Sequence, residues 1–155
     1  MKIKITCLGK TKQKFIEEGI REYQKRITKY IKLDWQILSD VKLTGNKTIE
    51  VVKKQEALIL EKNLPASSII VVLDENGKEF SSEYFAKYLE NKLLFGKDIV
   101  FIIGGVYGLS DRILQKADIA LSFSRFTFIH QMIRLLLIEQ LYRSFTILKG
   151  KKYHY

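Results

Sequence analysis

One cysteine, one proline, one tryptophan and two histidines in 155 residues deprive several kinds of protein of their raw material. The lone Cys7 sits in an apolar alternating stretch and cannot pair within the chain. It reads as a small buried hydrophobe in a reducing compartment, the cytoplasm. One cysteine and two histidines assemble no metal-ligand spacing, so no metal is expected. The chain has no apolar run of about 18 residues and no amino-terminal cleavage signature, so neither a membrane span nor a secretion signal is expected. With a single proline and no low-complexity tract there is no linker, and the length suits one domain, 1–155. There is no phosphate-loop lysine after a glycine run and no GxSxG elbow, which argues against nucleotide hydrolysis and α/β-hydrolase chemistry.

Acidic residues are scarce only at the two ends. The net charge of +10 divides into +7 over residues 1–32, −2 over 33–124 and +5 over 125–155. A basic excess at both termini of a neutral middle points to a polyanionic partner, namely nucleic acid.

What is present has the rhythm of an α/β protein. Met1 to Cys7 alternates as a strand. From about Lys14 to Lys32, Ile16, Ile20, Tyr23, Ile27 and Tyr30 mark one face of a helix. Leu33, Trp35 and Ile37 alternate as a second strand. Thr48 caps a helix to about Lys62, and Ser68 to Asp74 is a third strand that ends at a turn, Asn76-Gly77. A helix from Ser82 ends at Gly96. Two more strands follow (Ile99 to Ile103, Ile119 to Phe123), and then a helix from about His130 to Leu148. Five strands interleaved with helices predict an α/β fold with a mostly parallel sheet of five to six strands. The last helix is apolar over more than one stripe, which predicts a homodimer interface on it, with Leu137 and Leu141 at the contact.

The run Ile99 to Arg134 carries the site. Its first strand stops at Gly104-Gly105-Val106-Tyr107-Gly108, and the next ends in the loop Ser124 to Ile129. Loops at the carboxyl ends of neighbouring parallel strands are where open α/β sheets bind ligands. The glycine spacing is GGxxG, not GxGxxG. It follows the fourth strand, and no acidic residue ends a strand about 20 residues on, so a dinucleotide oxidoreductase is the weaker reading. A site built largely of backbone, with Ser122, Ser124 and Thr127 beside it, suits an adenine edge. His130 at a helix start, and Tyr153-His154-Tyr155 in a basic tail, offer stacking and proton handling for a nucleobase. A non-catalytic RNA- or ribosome-binding protein is the other alternative.

The motifs IIGGxxGL, LSFSxxTFxHQMxRxxLxEQxYRxF and a carboxyl-terminal Tyr-His, with MKIKITCLGK and EYxKR in the first part, resemble the small SPOUT-class rRNA methyltransferases over the whole chain. The resemblance implies a homodimer with a trefoil knot in its carboxyl-terminal half. It also implies S-adenosylmethionine as cofactor and methylation at N3 of a pseudouridine in the 23S rRNA of the large ribosomal subunit. The implied cofactor residues are Leu73, Gly105, Ser124, Arg125, Phe126, Thr127, Phe128 and Ile129. His154, His130 and Tyr153 are the candidates for handling the target base. Two positions depart from the family pattern: Ile129 stands where proline is common, and Tyr155 follows His154 where a cation is common. That charge is either missing or supplied by Lys151, Lys152 or Arg125.

Overall fold

The computed structural model describes residues 1–153. Its elements alternate: β1 (Lys2–Leu8), α1 (Lys14–Ile27), β2 (Lys32–Leu38), α2 (Ile49–Lys62), β3 (Ser68–Glu79), α3 (Ser82–Leu94), β4 (Asp98–Ile103), α4 (Asp111–Leu114), β5 (Ile119–Ser122) and α5 (His130–Leu148). The strands form one five-stranded sheet in the order β2-β1-β4-β3-β5, and every pairing is parallel.

The apolar runs of β1, β3 and β4 are explained by burial on both faces. On one face Ile5, Val71 and Phe101 pack under α1, α3 and α5, with Phe85, Leu89, Leu137 and Leu141 opposite them. On the other face Leu8, Val72, Val100 and Ile102 pack under α2 and α4 through Ala57, Leu60 and Ile113. Cys7 is fully buried in the first of these cores. Side-chain caps set two helix starts: Thr48 accepts from the Val51 N–H (3.3 Å) and Ser81 from the Tyr84 N–H (3.1 Å).

Three expectations are corrected. The first helix stops at Ile27 rather than Lys32. Tyr30 and Ile31 donate back to the Ile27 carbonyl, and Lys32 already pairs with Lys2 in the sheet. Asn76-Gly77 is not a turn, because β3 runs through it to Glu79 with a register shift against β5 between Leu73 and Lys78. Gly77 makes that possible: a Cβ there would lie 2.6 Å from the Ala120 carbonyl carbon, so only glycine lets the two backbones approach. Part of the wide apolar surface of α5 is consumed within the chain, between α1 and α3, while Ile133, Leu136 and Tyr142 stay partly exposed. Leu137 and Leu141 are fully buried in the core, so neither can be an interface residue.

Candidate active site

The parallel order β4-β3-β5 brings three carboxyl-terminal loops together at one edge of the sheet. Between them lies a cleft of about 400 Å³. Its floor is the end of β4 and the turn beyond it, where the Gly108 N–H donates to the Gly105 carbonyl (3.1 Å) and Gly108 takes a φ of 74°. Leu73, Ile103, Leu121, Phe126, Phe128 and Ile133 give the cleft apolar walls, and Lys53, Glu75 and His130 bring polar groups to it.

The β5–α5 loop shapes itself. The Ser122 hydroxyl donates to the Ser124 carbonyl (3.0 Å), and the Ser124 hydroxyl accepts from the Phe126 N–H (3.0 Å). The Thr127 hydroxyl donates to Glu75 on the extension of β3 (3.4 Å). Of the residues singled out in the sequence, Leu73, Gly105, Ser124, Phe126, Thr127, Phe128 and His130 line the cleft. Arg125 points away, 94% exposed, with Nε 3.8 Å from Glu79, and Ile129 is exposed outside the lining.

His130 opens α5 at the cleft and is half-buried. Burial first, then the Arg134 cation and Lys12, pull its pKa below the usual imidazole value, and Asp40 opposes them. The ring is therefore neutral at pH 7 and able to accept a proton. The next turns of α5 are pinned to the β1–α1 loop. The Gln131 carbonyl oxygen accepts from the Lys12 N–H (2.8 Å) and the Gln13 N–H (3.3 Å). Arg134, fully buried, donates to the carbonyls of Leu8 (2.7 Å) and Gly9 (2.9 Å) and to the Thr11 hydroxyl (3.0 Å). Sequence reasoning missed both residues as positioning groups. Their spacing to His130 in His-Gln-Met-Ile-Arg was the available signal.

Tyr153 is not brought to this cleft. Its hydroxyl hydrogen-bonds Tyr23 (3.0 Å) and donates to Glu139 (3.4 Å), and its ring meets Tyr142 edge-on at 4.9 Å. Its partner Glu139 stands nine residues along α5 from His130, about 13–14 Å at the helical rise. His154 lies outside the described residues.

Gly105 is constrained from behind. It is not among the glycines with positive φ, yet a Cβ there would lie 2.8 Å and 3.0 Å from the two carboxyl oxygens of Glu56. Gly104 is also tight: a Cβ would meet the Gly108 carbonyl carbon at 3.0 Å and Leu109 at 3.1 Å. Nothing in the sequence pattern of α2 marked Glu56.

A cleft with apolar walls and a glycine-turn floor, with backbone polar groups and the side chains of Lys53, Asp74, Glu75 and Asn76 at hand, fits a nucleoside ligand carrying a polar tail. Among the described residues no group of three or more metal-ligating side chains exists, and no helix is long and apolar enough to cross a membrane.

Residues 1–154 match the family model described as "Predicted SPOUT methyltransferase". Curated relatives named "Ribosomal RNA large subunit methyltransferase H" are similar over nearly their full length. The one from Christiangramia forsetii is 44% identical over 100% of this chain and 99% of its own. The one from Halothermothrix orenii is 46% identical over 99% of each chain. Among solved structures, a protein assigned to the methylase family from Neisseria gonorrhoeae shares the fold, with a TM-score of 0.54 at 11% identity over 90% of this chain and 81% of that one.

Proposed function

The chain belongs to the SPOUT methyltransferase family, and on that premise we propose that it uses S-adenosylmethionine to methylate N3 of a pseudouridine in 23S rRNA, on the assembled ribosome in the cytoplasm. The observation that supports this most is the cleft itself. Its apolar walls and glycine-turn floor suit an adenosine, and its one neutral imidazole stands at the rim. Leu73, Gly105 and the Ser124–Phe128 loop would hold the cofactor, which when bound supplies a sulfonium-activated methyl group.

The chain's own task is to present the base and remove its proton. An N3 imide has a pKa on the order of 9–10, so at neutral pH it needs a base or a nearby cation. His130, kept neutral by burial and by Arg134, is placed to accept that proton. Tyr153 docks against α1 and the middle of α5, beside Tyr23, Glu139 and Tyr142, rather than in the cleft of its own protomer. We therefore propose a homodimer in which the tail of one protomer, with His154, completes the cleft of the other. The cleft mouth supports this: Val106, Phe126, Phe128 and Ile129 stand exposed around it, an apolar rim awaiting a cover. The family's trefoil knot belongs to the same reading. It is supported by the chain's path from β5 at the sheet edge back to α5, whose first turns are pinned beside the end of β1.

The test uses ribosomes from cells lacking the protein, treated with the enzyme and S-adenosylmethionine and mapped by mass spectrometry. One added methyl on one 23S pseudouridine is expected. No incorporation into any ribosomal particle or free rRNA overturns the proposal.

A further inference from the structure

Helix α2 reaches the cleft twice. Lys53 lines its mouth, and one turn later Glu56 stands behind its floor, 4% exposed. Its carboxyl group fills the space a Gly105 side chain would occupy, with both oxygens within 3.0 Å of that Cβ position. The backbone of Gly105 lies outside the left-handed region, so its conformation alone would admit alanine. Glu56 is what demands glycine here. One of its oxygens, Oε2, is buried and has no hydrogen-bond partner among the described residues. Buried polar atoms are rarely left so without a functional or structural reason.

We propose that Glu56 is a positioning residue of the donor cleft: its carboxyl group, wedged against the Cα of Gly105, holds the Gly104–Gly105 turn in the shape that receives the methyl donor. This rests on the donor reading above. The groups facing it are the Val41 N–H and Asp40 from the loop after β2 and the Gly105 backbone from the loop after β4. Burial, reinforced by Asp40, pushes the Glu56 pKa up, against the pull of the Val41 N–H. The folded protein therefore holds this proton to a higher pH than an exposed carboxyl group would, since an unpaired buried charge costs far more than an unpaired neutral oxygen. With the folded pKa raised, the support Glu56 gives the turn is fully present below the ordinary carboxyl pKa and is lost as pH rises through the folded value.

The experiment is a double-mutant cycle of Glu56→Ala and Gly105→Ala, read by S-adenosylmethionine calorimetry and by amide exchange of residues 104–108 in the unliganded protein. Each single variant is expected to weaken donor binding about tenfold or more and to speed exchange. The double variant should be no worse than either single one, because removing the carboxyl group makes room for the new methyl. Additive losses overturn the proposal. Glu56→Gln, which keeps the shape and stays neutral, is expected to retain binding and exchange protection and to flatten the fall of affinity with rising pH seen in the wild type. If Glu56→Gln behaves as Glu56→Ala, or keeps the wild-type pH profile, the proposal fails. A wild-type protein that binds no donor would sink the donor reading and the donor role of Glu56 with it. If exchange then still responded to the variants, Glu56 would be a support of the turn alone.

Discussion

At the scale of single residues, α5 carries the proposed base and its support within two turns. His130 faces the cleft, and Arg134, one turn on, holds the helix to the β1–α1 loop while its charge depresses the imidazole pKa. His130→Ala is expected to lower methyl transfer to ribosomes by about 10²-fold, the lower end for a positioned base, with donor affinity in calorimetry nearly unchanged. The sign of its pH dependence follows from the lowered pKa. Neutral His130 persists below the ordinary value of 6.5, so the acid limb of kcat/KM should lie below that value in the wild type and be absent in His130→Ala. Arg134 is a second case. Replacing it with Ala leaves the Leu8 and Gly9 carbonyls without their donor, at about 1–3 kcal/mol for each buried acceptor. Thermal unfolding should show that loss, and Arg134→Lys should restore little, because a point ammonium cannot span acceptors arranged for a planar fork.

Among the elements, the extension of β3 past Leu73 ties the proposed cofactor loop to the sheet. It pairs with Leu121 and Ser122 after the register shift, and it carries Glu75 and Glu79, which meet Thr127 and Arg125. Gly77→Ala forces a Cβ against the Ala120 backbone, which cannot yield as a flexible side chain would. A loss of about 1–3 kcal/mol is expected, together with weaker donor binding. Helix α5 gives the opposite lesson. Leu137→Lys or Leu141→Lys puts a charge into the core shared by α1, α3 and the sheet, so circular dichroism should report an unfolded chain. A well-folded monomer would mean that these residues face a partner instead.

At the scale of the whole molecule, the two basic ends of the chain meet. Helix α1 and the turn after it pack on α5 through Ile16, Ile20 and Ile138 and through the Tyr23–Tyr142 and Tyr30–Phe145 ring contacts. Basic residues carried by α1 and by the end of α5 therefore share one face of the sheet, a field suited to an RNA backbone, whereas Arg134 is buried and Lys4 reaches the end of α2 on the other face. Tyr153 docks on this same pair of helices, beside Tyr23 and Glu139. If the tail acts in the partner's cleft, two dead variants should rescue each other. Gly105→Val blocks the cleft and His154→Ala disables the tail. In a mixed dimer one cleft is intact and is served by an intact tail. Methylation by the refolded mixture should rise well above that of either variant alone, toward about a quarter of the wild-type rate for random pairing of subunits with one working site. No rise on mixing would place the tail's action within its own protomer or remove it from catalysis.

The five strands, the helix order and the cleft between the Gly104-Gly105 turn and the 124–128 loop were legible in the chain, because burial on both faces writes continuous apolar runs and loops at strand ends need glycine and short polar residues. The family resemblance rested on the same stretch. What the pattern could not carry were relations between residues distant in sequence. Whether Asn76-Gly77 turned or ran on depended on Ala120 in another strand. Which side of α5 was free depended on α1 and α3. The need for glycine at position 105 depended on a carboxyl group far back along the chain, on a helix whose own periodicity marks Glu56 only as one more polar residue. Local propensity and periodicity reflect the backbone and its immediate neighbours, whereas close approach and burial of charge are decided by which surfaces the fold presses together, and only the tertiary structure holds that.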